Sequence, residues 1–95
     1  MPAGVYVVQV KIGEKSYYGM ANIGYRPTVR MAKHELTAEV NIFYFNQDIY
    51  GKHITMCFLE KIRAEHKFED LEKLKQQLKE DRKQAKHILE RYLGN

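Results

Sequence analysis

Alternation of apolar and polar residues divides the chain into a β-rich first two thirds and a helical last third. Four segments have the period of two and the β-branched and aromatic content that are typical of strands. They are residues 5–12, 17–23, 36–45 and 54–59. From about residue 69 the apolar positions repeat every three or four residues, which predicts an amphipathic helix. Strands therefore occupy about 4–62 and the helix about 69–92 of a single domain, residues 1–95.

The predicted helix has one apolar stripe and a charged remainder. The stripe consists of Leu71, Leu74, Leu78, Ala85, Ile88, Leu89 and Tyr92. Asp70 suits the N-terminal cap or the first turn, where a negative charge meets the positive end of the helix dipole. Gly94 is placed to end the helix. Charged residues between Lys73 and Arg91 mix both signs, which is more typical of a solvated helix face than of a nucleic-acid patch.

Glycine, proline and short polar runs mark the connections between the predicted strands. Residues 13–15 suit a hairpin, 24–33 a loop and 46–48 a turn. Gly19 lies inside the second strand, where a glycine indicates a bulge or the close approach of another backbone. Four antiparallel strands followed by a long helix predict a small β-barrel or curled sheet with the helix packed on it. Because four strands do not comfortably close a barrel, either the sheet is open or further strands come from elsewhere.

Composition and charge narrow the class of protein. Lys and Arg number 16 against 12 Asp and Glu, and the net charge of +4 favours phosphates, nucleic acid or acidic surfaces as partners. No apolar stretch approaches the roughly 20 residues that a membrane span needs. Cys57 is the only cysteine, which excludes an intrachain disulfide, and the first residues lack the features of a signal peptide. We therefore expect a cytoplasmic protein without a membrane partner.

Glu39 is the most informative single residue. It interrupts a strongly β-forming run in which Val40 and Phe43 are close by. A carboxylate desolvated by such neighbours is suited to take a proton as a general base. The alternative is that Glu39 points to solvent on the polar face of its strand, together with Thr37 and Asn41. The residues by themselves favour the solvent-facing arrangement.

Two further stretches contain candidate chemistry. Residues 22–28 combine Gly24, Arg26 and Pro27 in a pattern that suits either a phosphate-binding loop or a plain turn. Arg63 follows the fourth strand and is suited either to fork onto a phosphate or to pair with a neighbouring glutamate. The sequence has no Walker-type glycine loop, no zinc-ligand spacing among its histidines and cysteine, and no arrangement of Ser, His and Asp for hydrolysis.

Five stretches occur together in an order and with a spacing that carry a family resemblance. They are Gly-Val-Tyr-Val-Val at 4–8, Gly-Met-Ala-Asn-Ile-Gly-Tyr-Arg-Pro-Thr at 19–28, Leu-Thr-Ala-Glu-Val at 36–40, Asp-Ile-Tyr-Gly at 48–51, and Phe-Leu-Glu-Lys-Ile-Arg at 58–63 with Phe68 and Leu71 beyond it. Together they resemble the riboflavin kinase domain of bacterial bifunctional riboflavin kinase/FAD synthetases over almost the whole chain. Any one of them alone would be a weak signal.

The resemblance implies a mainly β fold: an antiparallel Greek-key barrel of six strands, about four of them present here, with a C-terminal α-helix. It also implies a reaction, in which the γ-phosphoryl group of ATP is transferred to the ribityl 5′-hydroxyl of riboflavin with Mg²⁺ or a similar ion, giving FMN and ADP. By position, Glu39 matches the catalytic base that takes the hydroxyl proton. The resemblance therefore changes our interpretation of Glu39 from solvent-facing to catalytic.

The other residues that the resemblance implicates fall into three groups. Arg63 matches an arginine in the loop before the helix that helps to hold the phosphate side of the flavin. Phe68, Leu71 and Leu74 lie where the start of the helix meets the isoalloxazine ring. The active-site loop comprises Asn22, Gly24, Arg26, Pro27 and Thr28. No metal ligand is implied for this chain.

The chain departs from the family at its start. Family members have, ahead of the Gly-Val-Tyr strand, a segment ending in Pro-Thr-Ala-Asn, whose Thr and Asn bind the metal and phosphates. This sequence begins after that motif, and Pro27-Thr28 does not replace it, because the family has this second Pro-Thr as well. The adenylyltransferase domain that precedes the kinase in bacterial proteins is also absent. We therefore expect a fragment whose missing strands leave unpaired edges that favour a homodimer.

Two alternatives to a kinase stay open at this point. One is a flavin-binding or regulatory module without catalysis, and the other is a small basic barrel that binds nucleic acid. A nucleic-acid barrel presents aromatic and basic residues together on a sheet face. Here Phe43 and Phe45 are predicted to share a face with Glu39, while the basic residues cluster on the helix. That separation disfavours nucleic acid as a partner.

The chain by itself is predicted to convert riboflavin to FMN slowly or not at all. Phosphoryl transfer depends on positioned metal and phosphate ligands, and the family segment that supplies them is not in this sequence. The measurement is chromatography of the flavins after incubation of the pure 95-residue chain with riboflavin and Mg-ATP. Steady formation of FMN would contradict the prediction.

Overall fold

Four strands and one helix follow one another along the chain, in the order that the sequence predicts. The computed structural model describes residues 2–27, 34–46, 51 and 53–94, without the side chains of 26, 27 and 34–36. The elements are β1 (Gly4–Ile12), β2 (Lys15–Pro27), β3 (His34–Ile42), β4 (Ile54–Ala64) and α1 (Leu71–Tyr92).

The strands form one antiparallel sheet in the order β3-β2-β1-β4. Strands that are consecutive along the chain pair as β1–β2 and β2–β3, whereas β4 pairs with the other side of β1. In the part of the chain that the structure describes, β3 and β4 each have a neighbour on one side only. The sheet formed by the described residues is therefore open at both edges. A homodimer through these edges stays a prediction.

The second strand is longer than predicted. Gly24, Arg26 and Pro27, which we expected in a loop, continue β2 and pair with β3. The hydroxyl of Thr37 donates to the carbonyl of Gly24 at 3.3 Å and adds a side-chain bond to this part of the ladder. Pro27, which has no N–H to donate to the ladder, is the last residue of β2. Thr28 lies outside the described residues.

The third strand is shorter than predicted, since β3 ends at Ile42. Tyr44 has a φ of 56°, a left-handed conformation that takes the backbone out of the sheet. The amide of Phe43 donates to the carbonyl of Tyr18 at 2.8 Å, so the connection to β2 persists just beyond the strand. Of the predicted turn at 46–48, only its first residue is among those described.

Both faces of the sheet are apolar at its centre. One face carries a buried cluster formed by Tyr6, Val8, Val10, Ala21 and Ile23. On the opposite face Val7, which is fully buried, packs against Ala85, Ile88 and Leu89 of α1. Successive residues of β1 therefore pack on opposite faces of the sheet. Helix α1 covers one side, and no helix in the described ranges is both long and apolar enough to cross a bilayer.

The ends of α1 confirm the capping signals. The carboxylate of Asp70 accepts from the amide of Lys73 at 2.9 Å, and Gly94 follows the helix with a left-handed φ of 78°. The apolar stripe is only partly buried, however. Leu71 at its start is 63% exposed, whereas Ile88 near its end is 7% exposed. The second half of the helix therefore packs on the sheet more closely than the first.

The predicted close approach at Gly19 is confirmed. A Cβ atom at this position would lie 3.0 Å from the Cα of Ile42 and closer still to the carbonyl oxygen of Asn41, both in the paired strand. We expect Gly19→Ala to lower the free energy of unfolding by about 2–3 kcal/mol, because backbone rather than a side chain must move. Urea denaturation followed by circular dichroism measures this change.

Gly24→Ala is the matched control, since Gly24 lies in the same strand and also faces β3. Its added Cβ would be 2.9 Å from Oε1 of Glu65, the movable end of a long side chain. We expect a loss below about 1 kcal/mol. Equal losses for the two variants would show that backbone crowding at Gly19 is not the cause.

Candidate functional site

One row of paired residues crosses all four strands. Glu39 on β3 lies opposite Asn22 on β2, Asn22 lies opposite Val5 on β1, and Val5 lies opposite Arg63 on β4. Residues directly opposite one another place their side chains on the same face of a sheet. Three strand spacings separate the Cα atoms of Glu39 and Arg63 by about 14 Å. The row thus brings the predicted base and the predicted phosphate ligand onto one surface.

A cleft of about 360 Å³ lies between this row and the first half of α1. Its lining includes Val5, Met20, Asn22, Glu39, Leu74 and Leu78. The volume is within the range of small-molecule sites, which combine apolar walls with a few polar groups. The cleft exists because the first half of the helix stands away from the sheet.

Glu39 occupies the rim of this cleft and is exposed. The structure thus has the solvent-facing arrangement that the residues by themselves favoured, and not the alternative of a carboxylate desolvated by Val40 and Phe43. Val40 packs with the core of the opposite face, and Phe43 packs with Val7 and the end of α1. A second, smaller cleft of about 120 Å³ also borders Glu39 and includes Glu65.

Arg63 makes an ion pair and several hydrogen bonds with the helix. It lies in β4, not in the loop that follows, and its partner is Asp81 of α1 and not a neighbouring glutamate. Nε of Arg63 donates to Oδ1 and Oδ2 of Asp81 at 2.8 and 3.0 Å, and Nη2 donates to Oδ2 at 2.8 Å. The amide of Gln77 also donates to Oδ1 at 3.0 Å. These bonds satisfy a carboxylate that is only 1% exposed.

The other edge of the Arg63 guanidinium points elsewhere. Nη1 donates to the carbonyl of Ala64 at 3.2 Å. Of the five N–H groups, two, one on each terminal nitrogen, have no partner among the described residues. Phe68 lies beside the same group, with its ring centroid 5.6 Å from Cζ. Arg63 is thus held on one side by a carboxylate, and one N–H group on each terminal nitrogen has no partner among the described residues.

Asp81 is the residue that sequence reasoning missed. We counted it among the charges of a solvated helix face, and the structure buries it. A signal was present, because Leu74, Leu78, Asp81, Ala85 and Ile88 follow one another at intervals of three and four residues. An acidic residue on the apolar stripe of a helix requires a buried cationic partner.

The remaining predicted site residues are not all in one place. Leu74 is half-buried in the cleft beside Glu39, and Phe68 is half-buried beside Arg63. Leu71 is largely exposed at the start of α1. Gly24 borders the smaller cleft, where the lack of a side chain leaves room for Glu65. The structure describes the backbone of residues 26–27 but not their side chains, and Thr28 lies outside the described residues.

A larger cleft, of about 560 Å³, lies at the opposite end of the helix. Tyr17, Phe43 and Tyr44 line it together with Lys86, whose Nζ is 6.0 Å from the Phe43 ring and 5.5 Å from the Tyr44 ring. Our prediction that basic and aromatic side chains stay apart is therefore wrong at this end. This cleft does not include Glu39 or Arg63.

The described residues assemble no group of three or more His, Cys, Asp or Glu side chains that could hold a metal ion. We therefore assign no Mg²⁺ ligand to them. The chemistry that the site offers is a carboxylate at one end of an apolar cleft and an oriented guanidinium at the other end of the same row.

Comparison with known proteins finds relatives that are described as riboflavin kinases. A family model described as riboflavin kinase, or flavokinase, matches residues 1–89. The bifunctional riboflavin kinase/FMN adenylyltransferase of Bacillus subtilis is 39% identical over 85 residues, which are 88% of this chain and 27% of that protein. Its Escherichia coli counterpart is 43% identical over 86 residues, or 90% and 27% of the two chains. An RNA-binding riboflavin kinase of Bacillus subtilis is 42% identical over 78 residues, covering 82% and 34%.

A solved structure supports the same fold. A protein from Streptococcus pneumoniae, described as a macrolide-efflux protein, superimposes with a TM-score of 0.79 at 42% identity, over 88% of this chain and 27% of that one. This match confirms the mainly β fold with its C-terminal helix. The chain spans 27% of the length of both bifunctional enzymes.

The ion pair predicts a large difference between two neighbouring acidic residues of α1. We expect Asp81→Ala to lower the free energy of unfolding by about 3 kcal/mol, because it leaves the Arg63 guanidinium partly buried without its partner. Glu80→Ala is the control, since Glu80 is exposed and lies 3.5 Å from exposed Lys83. Its expected loss is below about 0.5 kcal/mol. Urea denaturation measures the free energy of unfolding of both variants. Similar losses in the two would contradict a structural role for the Arg63–Asp81 pair.

Proposed function

The chain belongs to the riboflavin kinase family, and from this membership we propose that it serves the transfer of the ATP γ-phosphoryl group to the 5′-hydroxyl of riboflavin. The observation that supports the proposal most is the row from Glu39 to Arg63 beside a cleft of ligand size. A carboxylate and a guanidinium on one face of the sheet supply two groups that the reaction requires, a proton acceptor and a phosphate ligand.

The proposed site for the isoalloxazine ring is the apolar part of the cleft. Leu74 and Leu78 form one wall, on α1, and Val5 and Met20 form the other, on the sheet. A flat aromatic ring here would remove from water mainly the half-buried Leu74 and Leu78, because Val5 and Met20 are only 2% and 8% exposed. Phe68 and Leu71 do not line this cleft. They are proposed to contact the ring from the start of α1, where Leu71 is 63% exposed and leaves apolar area for a ligand to cover.

Glu39 is proposed as the general base. Its exposed carboxylate would accept a hydrogen bond from the terminal ribityl hydroxyl and take that proton as the hydroxyl oxygen attacks the γ-phosphorus. The new O–P bond forms as the bond from the γ-phosphorus to the bridging oxygen of ADP breaks. Arg63 is proposed to bind the phosphate side of the flavin through the two N–H groups that its protein contacts leave over.

The remaining expectations belong to the same proposal. Asn22, between Glu39 and Val5 in the row, and Gly24, at the smaller cleft, are proposed to border the bound substrate together with Arg26, Pro27 and Thr28. The proposed small-molecule partners are riboflavin, FMN, ATP and ADP, with Mg²⁺ accompanying the nucleotide. A cytoplasmic location, the lack of a nucleic-acid partner and a homodimer through the strand edges stay predictions.

The proposal is tested by flavin fluorescence. Riboflavin and FMN should be quenched at micromolar concentrations on titration with the chain. Lumiflavin has the same ring system but a methyl group in place of the ribityl chain, so it cannot donate to Glu39. We expect Glu39→Ala to weaken riboflavin binding about tenfold and lumiflavin binding less than about twofold, because a hydrogen bond to a charged group is lost only for riboflavin.

Glu14→Ala is the matched control, since Glu14 is an exposed carboxylate in the hairpin between β1 and β2. It should leave both affinities unchanged. A folded wild-type chain that quenches none of the three flavins would overturn the proposed function. Equal losses for riboflavin and lumiflavin in Glu39→Ala would remove the assignment of Glu39 but not that of the cleft.

A further inference from the structure

Asp81 contacts Arg63, the side chain that the proposed function places at the phosphate side of the flavin. Its carboxylate binds Nε and Nη2 of Arg63, which occupies one whole edge of the guanidinium. A guanidinium is planar, so fixing one edge also fixes the direction of the other. Contact with the carbonyl of Ala64 and the ring of Phe68 leaves little rotation about this direction.

The position of Asp81 on the helix adds a second constraint. Asp81 lies one turn beyond Gln77, which donates to its Oδ1, and the Leu78 of that turn forms a wall of the cleft. The same helical segment therefore carries the apolar wall and the carboxylate that orients Arg63. Because α1 is rigid, the distance between Leu78 and Asp81 is fixed. In the proposed complex this distance would relate the flavin ring, at Leu78, to the phosphate, at Arg63.

We propose that Asp81 is a positioning residue: it orients the two remaining N–H groups of Arg63 toward the phosphate of FMN and sets their distance from the flavin ring site. The inference rests on the proposed function. Asp81 itself does not touch the flavin, and its effect passes through Arg63 alone. Bidentate contacts of arginine to phosphate require a fixed fork, so a guanidinium that lost its carboxylate would bind the phosphate less well even though its charge is unchanged.

The test compares FMN with riboflavin, which differ by the phosphate only. In Asp81→Asn, the neutral amide cannot accept all three bonds from Arg63, and we expect FMN binding to weaken about tenfold while riboflavin binding changes less than about twofold. Fluorescence quenching gives both affinities. The ratio of the two affinities is the quantity that a role in packing alone would not move.

A double variant shows whether the effect passes through Arg63. Arg63→Ala should lower the FMN-to-riboflavin affinity ratio by itself, and adding Asp81→Asn should change the ratio no further. Gln77→Ala is a milder second variant, because it removes one hydrogen bond from Asp81 and keeps the ion pair. It should lower the ratio about twofold in a chain that still folds, so the test does not depend on the stability of Asp81→Asn.

Each outcome has a distinct meaning. An unchanged ratio in Asp81→Asn and Gln77→Ala, with a lowered ratio in Arg63→Ala, overturns the role of Asp81 and leaves the proposed function in place. Equal weakening of FMN and riboflavin in Asp81→Asn also overturns it, since the loss would then come from packing. A wild-type chain that binds neither flavin overturns the proposed function, and this inference with it.

Discussion

The ion pair between Arg63 and Asp81 sets the position of the helix, and through it the shape of the cleft. Helix α1 packs through Ala85, Ile88 and Leu89 in its second half, and its first half has no comparably buried side chain. The pair fixes the helix at the boundary between these halves. Because burial of a carboxylate is unfavourable without full hydrogen bonding, only an approach that satisfies Asp81 is compatible with the fold.

The cleft follows from this arrangement. A helix docked along its whole length would bury Leu74 and Leu78 against the sheet, and the row from Glu39 to Arg63 would be covered. The anchored middle instead leaves the first turns of α1 apart from β2 and β3, with an apolar wall and an exposed carboxylate on opposite sides. The features proposed to bind the flavin are thus produced by incomplete packing of one amphipathic helix.

Sequence patterns were sufficient where local chemistry decides the structure. The strand periods, the Asp70 cap, the end at Gly94 and the close approach at Gly19 were all predicted and are confirmed. Sequence patterns failed where tertiary contacts determine the structure. Gly24 to Pro27 carry turn signals, yet pairing with β3 extends β2 through them.

For the site too, the sequence indicated individual residues but not how they are arranged in space. Motif spacing selected Glu39 and Arg63, but nothing local to either residue indicates that both lie in one row of the sheet. Apolar residues adjoin Glu39 in the sequence and suggested desolvation as the alternative to a solvent-facing carboxylate. In the structure Val40 and Phe43 instead pack with separate clusters, and the carboxylate stays exposed. The partner of Arg63 is Asp81 of the helix. The helical pattern indicates that Asp81 needs a cationic partner, but it does not identify Arg63 as that partner.

Placing the two ends of the row on β3 and β4 has a consequence for local stability. Edge strands have hydrogen bonds to one neighbour only and open more readily than the central β1 and β2. The described sheet therefore carries its proposed chemical groups on its least protected strands. A molecule that contacts both would bind only when both are in place, and its binding free energy would be added to the free energy of opening at each edge. Such a ligand would stabilise both edge strands at once. Amide hydrogen exchange at β3 and β4 would then slow together as the site fills.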